Sequence, residues 1–246
     1  MKITSVNNEL VKETAKLLRS KYRDETGLFL IEGEKAVREA LDANLSIERL
    51  FCTEGFEEYP NRVETTETVL AKISDAKTAP RVVAVAKQPE HKWNNDYKKV
   101  VLLEGIKDAG NLGTILRTSA AFGIDAIVLY GDTVDLYNPK CVRSAVGNLW
   151  KIPVFKFNDL SIFTTYERIA TLPLSEGTIP LKEYKPQERV LVMFGSEADG
   201  LSEELKGFAT KGINIEMSGN VESLNLSIAA GVILYNLQVF APKGDW

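Results

Sequence analysis

Histidine is almost absent from this chain: of 246 residues, only His91 carries an imidazole. That scarcity excludes His-rich metal clusters and catalytic triads built on an imidazole base. Cysteine is nearly as rare. Cys52 and Cys141 stand far apart with no Cys-x-x-Cys spacing, which points to packed thiols in a reducing, cytoplasmic compartment and not to a disulfide or a metal site. No apolar run is clean enough to span a membrane, because the longest, 224–240, is interrupted by Asn225, Ser227, Asn236 and Gln238. The opening Met1-Lys-Ile-Thr-Ser-Val-Asn-Asn lacks the apolar core of a signal peptide. Low-complexity tracts are missing too, and the length suits one large domain or two ordinary ones.

Basic charge is also short, with 30 Lys and Arg against 34 Asp and Glu, a formal net charge of −4. Net charge says little when charge is segregated, however. Lys12, Lys16, Arg19 and Arg23 follow the 4-3-4 spacing of one helical face, while Leu10, Val11, Leu17 and Leu18 fall on others. Two readings stay open. The stripe is either a solvated helix face or a track for nucleic-acid phosphates.

Short strands alternate with helices in the first third: a helix over 5–20, a strand over 28–31, a helix over 33–43, a strand over 47–52, a helix over 67–73 and a strand over 82–86. This is the pattern of a small α/β layer domain. The charged, proline-containing stretch 87–99 breaks the periodicity and reads as a linker, giving domains over 1–95 and 96–246. Beyond it come longer βα units, with strands over 100–103, 126–130, 153–157, 168–172, 190–194 and 213–217. Helices are expected from the Asn111 turn through 122, over 140–149, near 160–166, from 202, and over 224–240. A run such as Val190-Leu-Val-Met-Phe194 indicates a parallel sheet buried on both faces, with its ligand site beyond the strands' carboxyl ends.

Three of those strand-to-helix turns carry polar clusters. They are Asp108-Ala-Gly-Asn111-Leu-Gly113 with Arg117 and Phe122-Gly123; Phe194-Gly-Ser-Glu197-Ala-Asp-Gly200-Leu201; and Ile215-Glu-Met-Ser-Gly-Asn-Val-Glu-Ser223-Leu-Asn225-Leu-Ser. The first has no lysine where a Walker loop requires one, and neither glycine turn has Gly-x-Gly-x-x-Gly spacing, so ATP and NAD are poor fits. Any one of these could be a plain structural turn. Together, in this order, they resemble the three signature motifs of the SpoU (TrmH-type) RNA ribose methyltransferases. The likeness spans 100–240, and the first third, through Phe29-Leu-Ile-Glu-Gly33, resembles the RNA substrate-binding domain often fused to them. Two family prolines are replaced here, by Ala109 and Glu216, which touches backbone rigidity and not a reacting group.

The resemblance implies a trefoil-knotted α/β domain binding S-adenosyl-L-methionine, with transfer of its methyl group to a ribose 2′-hydroxyl of RNA, ribosomal RNA being favoured over transfer RNA. It implies a homodimer packed through the helix over 224–240. It places Gly195, Ile215, Met217, Leu224, Thr171, Leu172 and Leu174 at the cofactor, and Arg117 beside the reacting hydroxyl. Arg117 acts there either as general base or, since guanidinium holds its proton, as a clamp on phosphate and forming alkoxide. Asn111 would orient Arg117 or the nucleotide. Glu197 would fix Arg117 or a ribose hydroxyl, or simply complement a helix dipole. Ser223 and Asn225 contact substrate or cap the last helix. Arg143 either reaches RNA phosphate or pairs at the surface. The competing functions are a non-catalytic RNA-binding protein of the same fold and a small-molecule methyltransferase.

Overall fold

The computed structural model describes residues 1–175, 177–219, 221 and 223–239, and the chain divides into two units. The first comprises Met1–Glu90 together with Asp135–Lys151. Its strands are β1 (Lys2–Ile3), β2 (Leu28–Glu32), β3 (Ile47–Cys52), β4 (Arg62–Thr65) and β5 (Val82–Lys87), in the order β1-β4-β3-β5-β2. β5 runs antiparallel to both β2 and β3, while β4 is parallel to β3 and to β1. Helices α1 (Glu9–Lys16), α2 (Ser20–Thr26), α3 (Glu34–Asp42) and α4 (Glu67–Lys72) complete the layers. Val11 and Leu17 pack with Val69, Leu70 and Ile73 over Leu30, Phe51, Val83 and Val85. β1 and β4 escape sequence reading because two residues, or four flanked by Pro60 and Asn61, are too short to show a period.

The single helix expected over 5–20 is two helices. Arg19 is extended, at φ −105° and ψ 134°, and breaks the helix between α1 and α2. Arg23 is consequently turned inward. Only 2% of it is exposed, its Nε donates to Asp135 Oδ2 at 2.7 Å, and its Nη1 donates to the Leu17 carbonyl at 2.7 Å. A four-residue basic stripe therefore does not form, since its fourth member is the buried half of an ion pair.

By contact, Asp135–Lys151 groups with the first unit. Within that segment α6 (Pro139–Ala145) is capped by Asn138, whose side chain accepts from the Lys140 amide, and it ends at Val146 in the left-handed region. The Phe29 and Tyr137 rings pack tilted against each other, their centroids 4.8 Å apart. Arg143 donates to Glu32 at 2.8 Å and to Asp75 at 3.1 Å. Of its two readings, pairing is the one observed.

The second unit is a parallel sheet throughout its described pairs, in the order β10-β12-β9-β11-β6-β7-β8. Here β6 is Lys99–Glu104, β7 Ala126–Tyr130, β8 Val154–Lys156, β9 Glu167–Thr171, β10 Ile179–Pro180, β11 Val190–Phe194 and β12 Lys211–Asn214. The helices are α5 (Ala109–Ala121), α7 (Glu203–Phe208) and α8 (Leu226–Val239), with α5 packed on α8. All five residues of β11 are buried, as a strand covered on both faces requires. Each such side chain contributes about 2 kcal/mol of burial.

Three differences from the sequence reading bear on the site. The helix expected near 160–166 is one 3-10 turn, Ser161–Phe163. β12 ends at Asn214, so Ile215 and Met217 lie beyond the strand. The linker's aromatic half is not solvated linker: Trp93 packs edge-on against Tyr97, Phe155, Phe157 and Phe163, at 5.0 to 5.4 Å. Phe240, the last residue of the expected helix, lies outside the described residues.

Candidate active site

The chain order reverses around β6 and β11: β7 and β8 extend the sheet on one side, β9 and β12 on the other. Such a switch point opens a crevice at the carboxyl ends of its strands. β6 and β11 pair in parallel with Leu103 opposite Phe194, so the turns that follow them leave the sheet side by side. After β6, Asp108 caps α5 by accepting from the Asn111 amide at 2.9 Å, and Ala109 takes the first helical position. Proline is favoured there but its missing N–H is not needed, so alanine leaves the cap intact.

After β11 the chain folds back on itself, with Ser196 and Gly200 exchanging backbone hydrogen bonds at 3.1 Å. A Cβ at Gly195 would stand 1.9 Å from the Gly200 carbonyl carbon, so this close approach admits only glycine. The reversal aims Glu197 across at the β6 turn. Its Oε1 accepts from Asn111 Nδ2 at 2.9 Å and from the Asp108 amide at 3.3 Å, and its Oε2 from the Lys107 amide at 3.3 Å. Partial burial alone would raise the Glu197 carboxyl. The hydrogen bond from Asn111 and those from backbone N–H groups outweigh it and hold the pKa below the usual carboxylate value.

Asn225 brings in the third cluster. Its Nδ2 donates to Asn111 Oδ1 at 3.1 Å, while its own Oδ1 accepts from the Ser227 and Ile228 amides and so caps α8. The residue that caps α8 thus also reaches the turn after β6. Asn225, Asn111 and Glu197 form a continuous hydrogen-bonded chain linking three turns far apart in sequence.

Beside that chain lies an apolar recess of about 160 Å³ lined by Thr171, Leu172, Leu174, Ile215, Met217 and Leu224, with Pro173, Ser223, Ile213, Ala229 and Ile233. It adjoins a wider, more polar recess of about 580 Å³ that reaches Phe194, Ser196, Glu197, Lys206 and Asn225. Six of the seven expected cofactor residues line the apolar recess. Gly195 does not, and acts through the turn it permits. Ile213, Ala229 and Ile233 were not singled out from sequence, since only the register of β12 and the docking of α8 turn them inward. Glu216, the second proline replacement, pairs with Lys182 at 2.8 Å.

Residues 98–235 match the SpoU rRNA Methylase family model, and residues 8–84 match the MRM3-like substrate binding domain. The chain belongs to the SpoU rRNA methylase family. It is 32% identical to the 23S rRNA (guanosine(2553)-2′-O)-methyltransferase RlmP of Bacillus subtilis (strain 168), across 96% of this chain and 98% of that one. It is 34% identical to an uncharacterized tRNA/rRNA methyltransferase of Synechocystis sp., across 95% and 92%. The solved AdoMet-bound rRNA methyltransferase from Sinorhizobium meliloti superposes with a TM-score of 0.86 at 29% identity, over 96% of each chain.

Against the SpoU pattern, Arg117 is the residue that the fold does not gather in. It is exposed on α5, and among the described residues it has no hydrogen-bond or ion-pair partner. Neither Glu197 nor Asn111, both expected beside it, holds its guanidinium in this chain. Ser223 is exposed at the rim of the apolar recess and makes no capping bond among the described residues, and the cap on α8 is Asn225. In the substrate-binding unit Lys12 and Lys16 are tied to Glu9 and Glu13 one turn away, at 3.6 and 2.6 Å, and Arg19 is exposed.

Proposed function

We propose that this SpoU-family enzyme methylates a ribose 2′-hydroxyl of ribosomal RNA, holding S-adenosyl-L-methionine in the recess bounded by Thr171, Leu172, Leu174, Ile215, Met217 and Leu224. Membership of the family makes it an S-adenosylmethionine-dependent RNA methyltransferase rather than a non-catalytic binder of the same fold. The observation that carries the residue-level reading is the Asn225–Asn111–Glu197 chain at the mouth of that recess. The recess fits the cofactor's chemistry: an apolar slot between Leu172, Ile213 and Ile215 suits a flat base, and the polar extension at Ser196, Ser223 and Asn225 suits an amino acid tail.

When bound, the cofactor supplies an electrophilic methyl group on a sulfonium. The protein's task is to align the ribose oxygen and to accommodate its proton. Glu197 is a poor base, because both its oxygens already accept hydrogen bonds and its affinity for a proton is lowered. A guanidinium is a poor proton acceptor, and among the described residues Arg117 has donors without a partner. Its fitting role is to clamp the target phosphate and the forming alkoxide, with the proton leaving to phosphate or water. Asn111 and Asn225 hold the floor of the site.

The finer features follow the same logic. α8 shows an exposed apolar face, with Ile228, Val232 and Tyr235 at 56%, 42% and 58% exposure and helical 4-3 spacing. A second copy of this helix suits that face, giving a homodimer. Lys12, Lys16 and Arg19 remain suited to RNA phosphate, since exposed pairs one turn apart hold the lysines weakly. Arg23 and Arg143 are committed to internal carboxylates. The RlmP likeness makes 23S rRNA the first RNA to offer, and the second relative's name keeps transfer RNA as the alternative. Two buried free cysteines suit a cytoplasmic setting. Among the described residues, no helix is long and apolar enough to cross a membrane.

The test is transfer of labelled methyl from S-adenosylmethionine into unmodified ribosomal RNA by wild type and Arg117→Ala. The wild type places label in alkali-resistant 2′-O-methyl linkages, and the variant loses about a hundredfold or more in kcat. A rate flat from neutral to alkaline pH supports the clamp. A rise across that range returns the base role to Arg117, and RNA binding without transfer moves the reading to the non-catalytic binder.

A further inference from the structure

Asn214 ends β12, is 1% exposed, and none of the three polar clusters includes it. Its Nδ2 donates to Thr178 Oγ1 at 3.0 Å, and its Oδ1 has no partner among the described residues. The Thr178 hydroxyl is saturated by that bond. It donates to the Ser175 carbonyl at 2.7 Å and accepts from the Ser175 amide at 3.2 Å as well as from Asn214, the one donor and two lone pairs that a hydroxyl has. Thr178 and Ser175 belong to the connection between β9 and β10, whose first residues, Leu172, Pro173 and Leu174, form one wall of the apolar recess.

A second observation places that wall against the same strand. The Leu172 amide donates to the Ile213 carbonyl at 2.9 Å. A Cβ added at Gly212 would meet Leu172 Cδ1 at 3.0 Å and Thr178 Cγ2 at 3.3 Å. Gly212 therefore lets the connection lie down on β12, and Asn214 ties its far end there. Ile213, between them, lines the recess itself, as does Ile215 just beyond. A buried amide is a costly group to leave half-satisfied unless its placement serves something.

We infer that Asn214 and Thr178 form a clasp that sets the width of the cofactor recess, making both positioning residues for cofactor binding that touch neither cofactor nor RNA. The inference rests on the recess being the S-adenosylmethionine site. Without the clasp the Leu172–Leu174 wall moves away from Ile213 and Ile215, so affinity falls while the reacting groups around Asn111 and Glu197 stay in place.

The full chain is used for the test, with isothermal titration of S-adenosylmethionine and S-adenosylhomocysteine, transfer kinetics, and amide hydrogen exchange across 172–178. Asn214→Ala raises both dissociation constants about tenfold, the effect of one lost buried hydrogen bond, and Thr178→Val, which also removes the two bonds to Ser175, raises them at least as much. KM for the cofactor rises with them, kcat at saturation holds, and exchange at Leu172 and Leu174 quickens. Thr178→Ser retains wild-type affinity. The double variant is no worse than Thr178→Val alone, because that change already removes the bond that Asn214→Ala breaks. Thr178→Val keeps shape and volume, so the inference stays testable if Asn214→Ala folds poorly. Wild-type affinity in Thr178→Val, or additive losses in the double variant, overturns the clasp. Cofactor binding by no form, wild type included, overturns the assignment of the recess and the clasp with it.

Discussion

Asn111 uses both ends of its amide at once, accepting from Asn225 and donating to Glu197, so one residue joins two turns that sequence places 28 positions apart on the far side of β11 and β12. Because Glu197 is the charged end of that chain, its ionisation reports on it. A carboxylate whose folded pKa lies below its unfolded value stabilises the fold above that unfolded value and loses the contribution as pH falls through the folded one. Glu197→Gln should therefore cost stability near neutrality, and the deficit should close as pH drops below about 4.5, its ordinary value. Urea denaturation of both proteins from pH 7 to 3 checks this; a deficit that persists in acid would assign it to shape and not charge. Val146 makes the opposite prediction. A β-branched residue at φ 46° is strained, and Val146→Asn should raise stability by about 1 kcal/mol in urea denaturation.

At the scale of elements, the decisive event is the break between α1 and α2. It lets Arg23 enter the first unit and meet Asp135, which anchors the Asp135–Lys151 segment there together with Arg143 and Glu32. Removing one half of a buried pair strands the other. Asp135→Ala should cost about 3 kcal/mol, and the double change Arg23→Met with Asp135→Leu should cost less than either single one. Equilibrium unfolding of Asp135→Ala, of Arg23→Met and Asp135→Leu singly, and of the double variant decides it, and a double variant as unstable as the sum of its two singles would show that the two side chains do not act as a pair.

For the whole molecule, the test is assembly. The apolar stripe Ile228, Val232 and Tyr235 is the face proposed for a second copy. Val232→Asp puts a charge at the middle of that face and should yield a monomer in sedimentation, with a near-neutral effect on folding because the site is exposed in the isolated chain. A wild-type monomer at micromolar concentration would remove the homodimer from the account.

Much of this was legible in the residues alone. The parallel sheet could be read from uninterrupted apolar strands, and β7 and β11 fall where their patterns put them, because a strand buried on both faces reads as a near-continuous apolar run. The three polar turns were legible because close backbone approaches, as at Gly195, and helix caps, as at Asp108, admit few residue types. What sequence could not settle was partnership. Arg23 in a basic stripe and Arg23 in a buried ion pair have the same spacing, and only the position of Asp135, 112 residues away, tells them apart. Asn225 likewise reads in sequence as a helix cap or a substrate contact, and only the folded chain shows that the capping residue also reaches Asn111. Local chemistry determines which turns and strands form, since it acts over a few residues. Which charges are answered, and by whom, is decided by contacts that only the folded chain brings within reach.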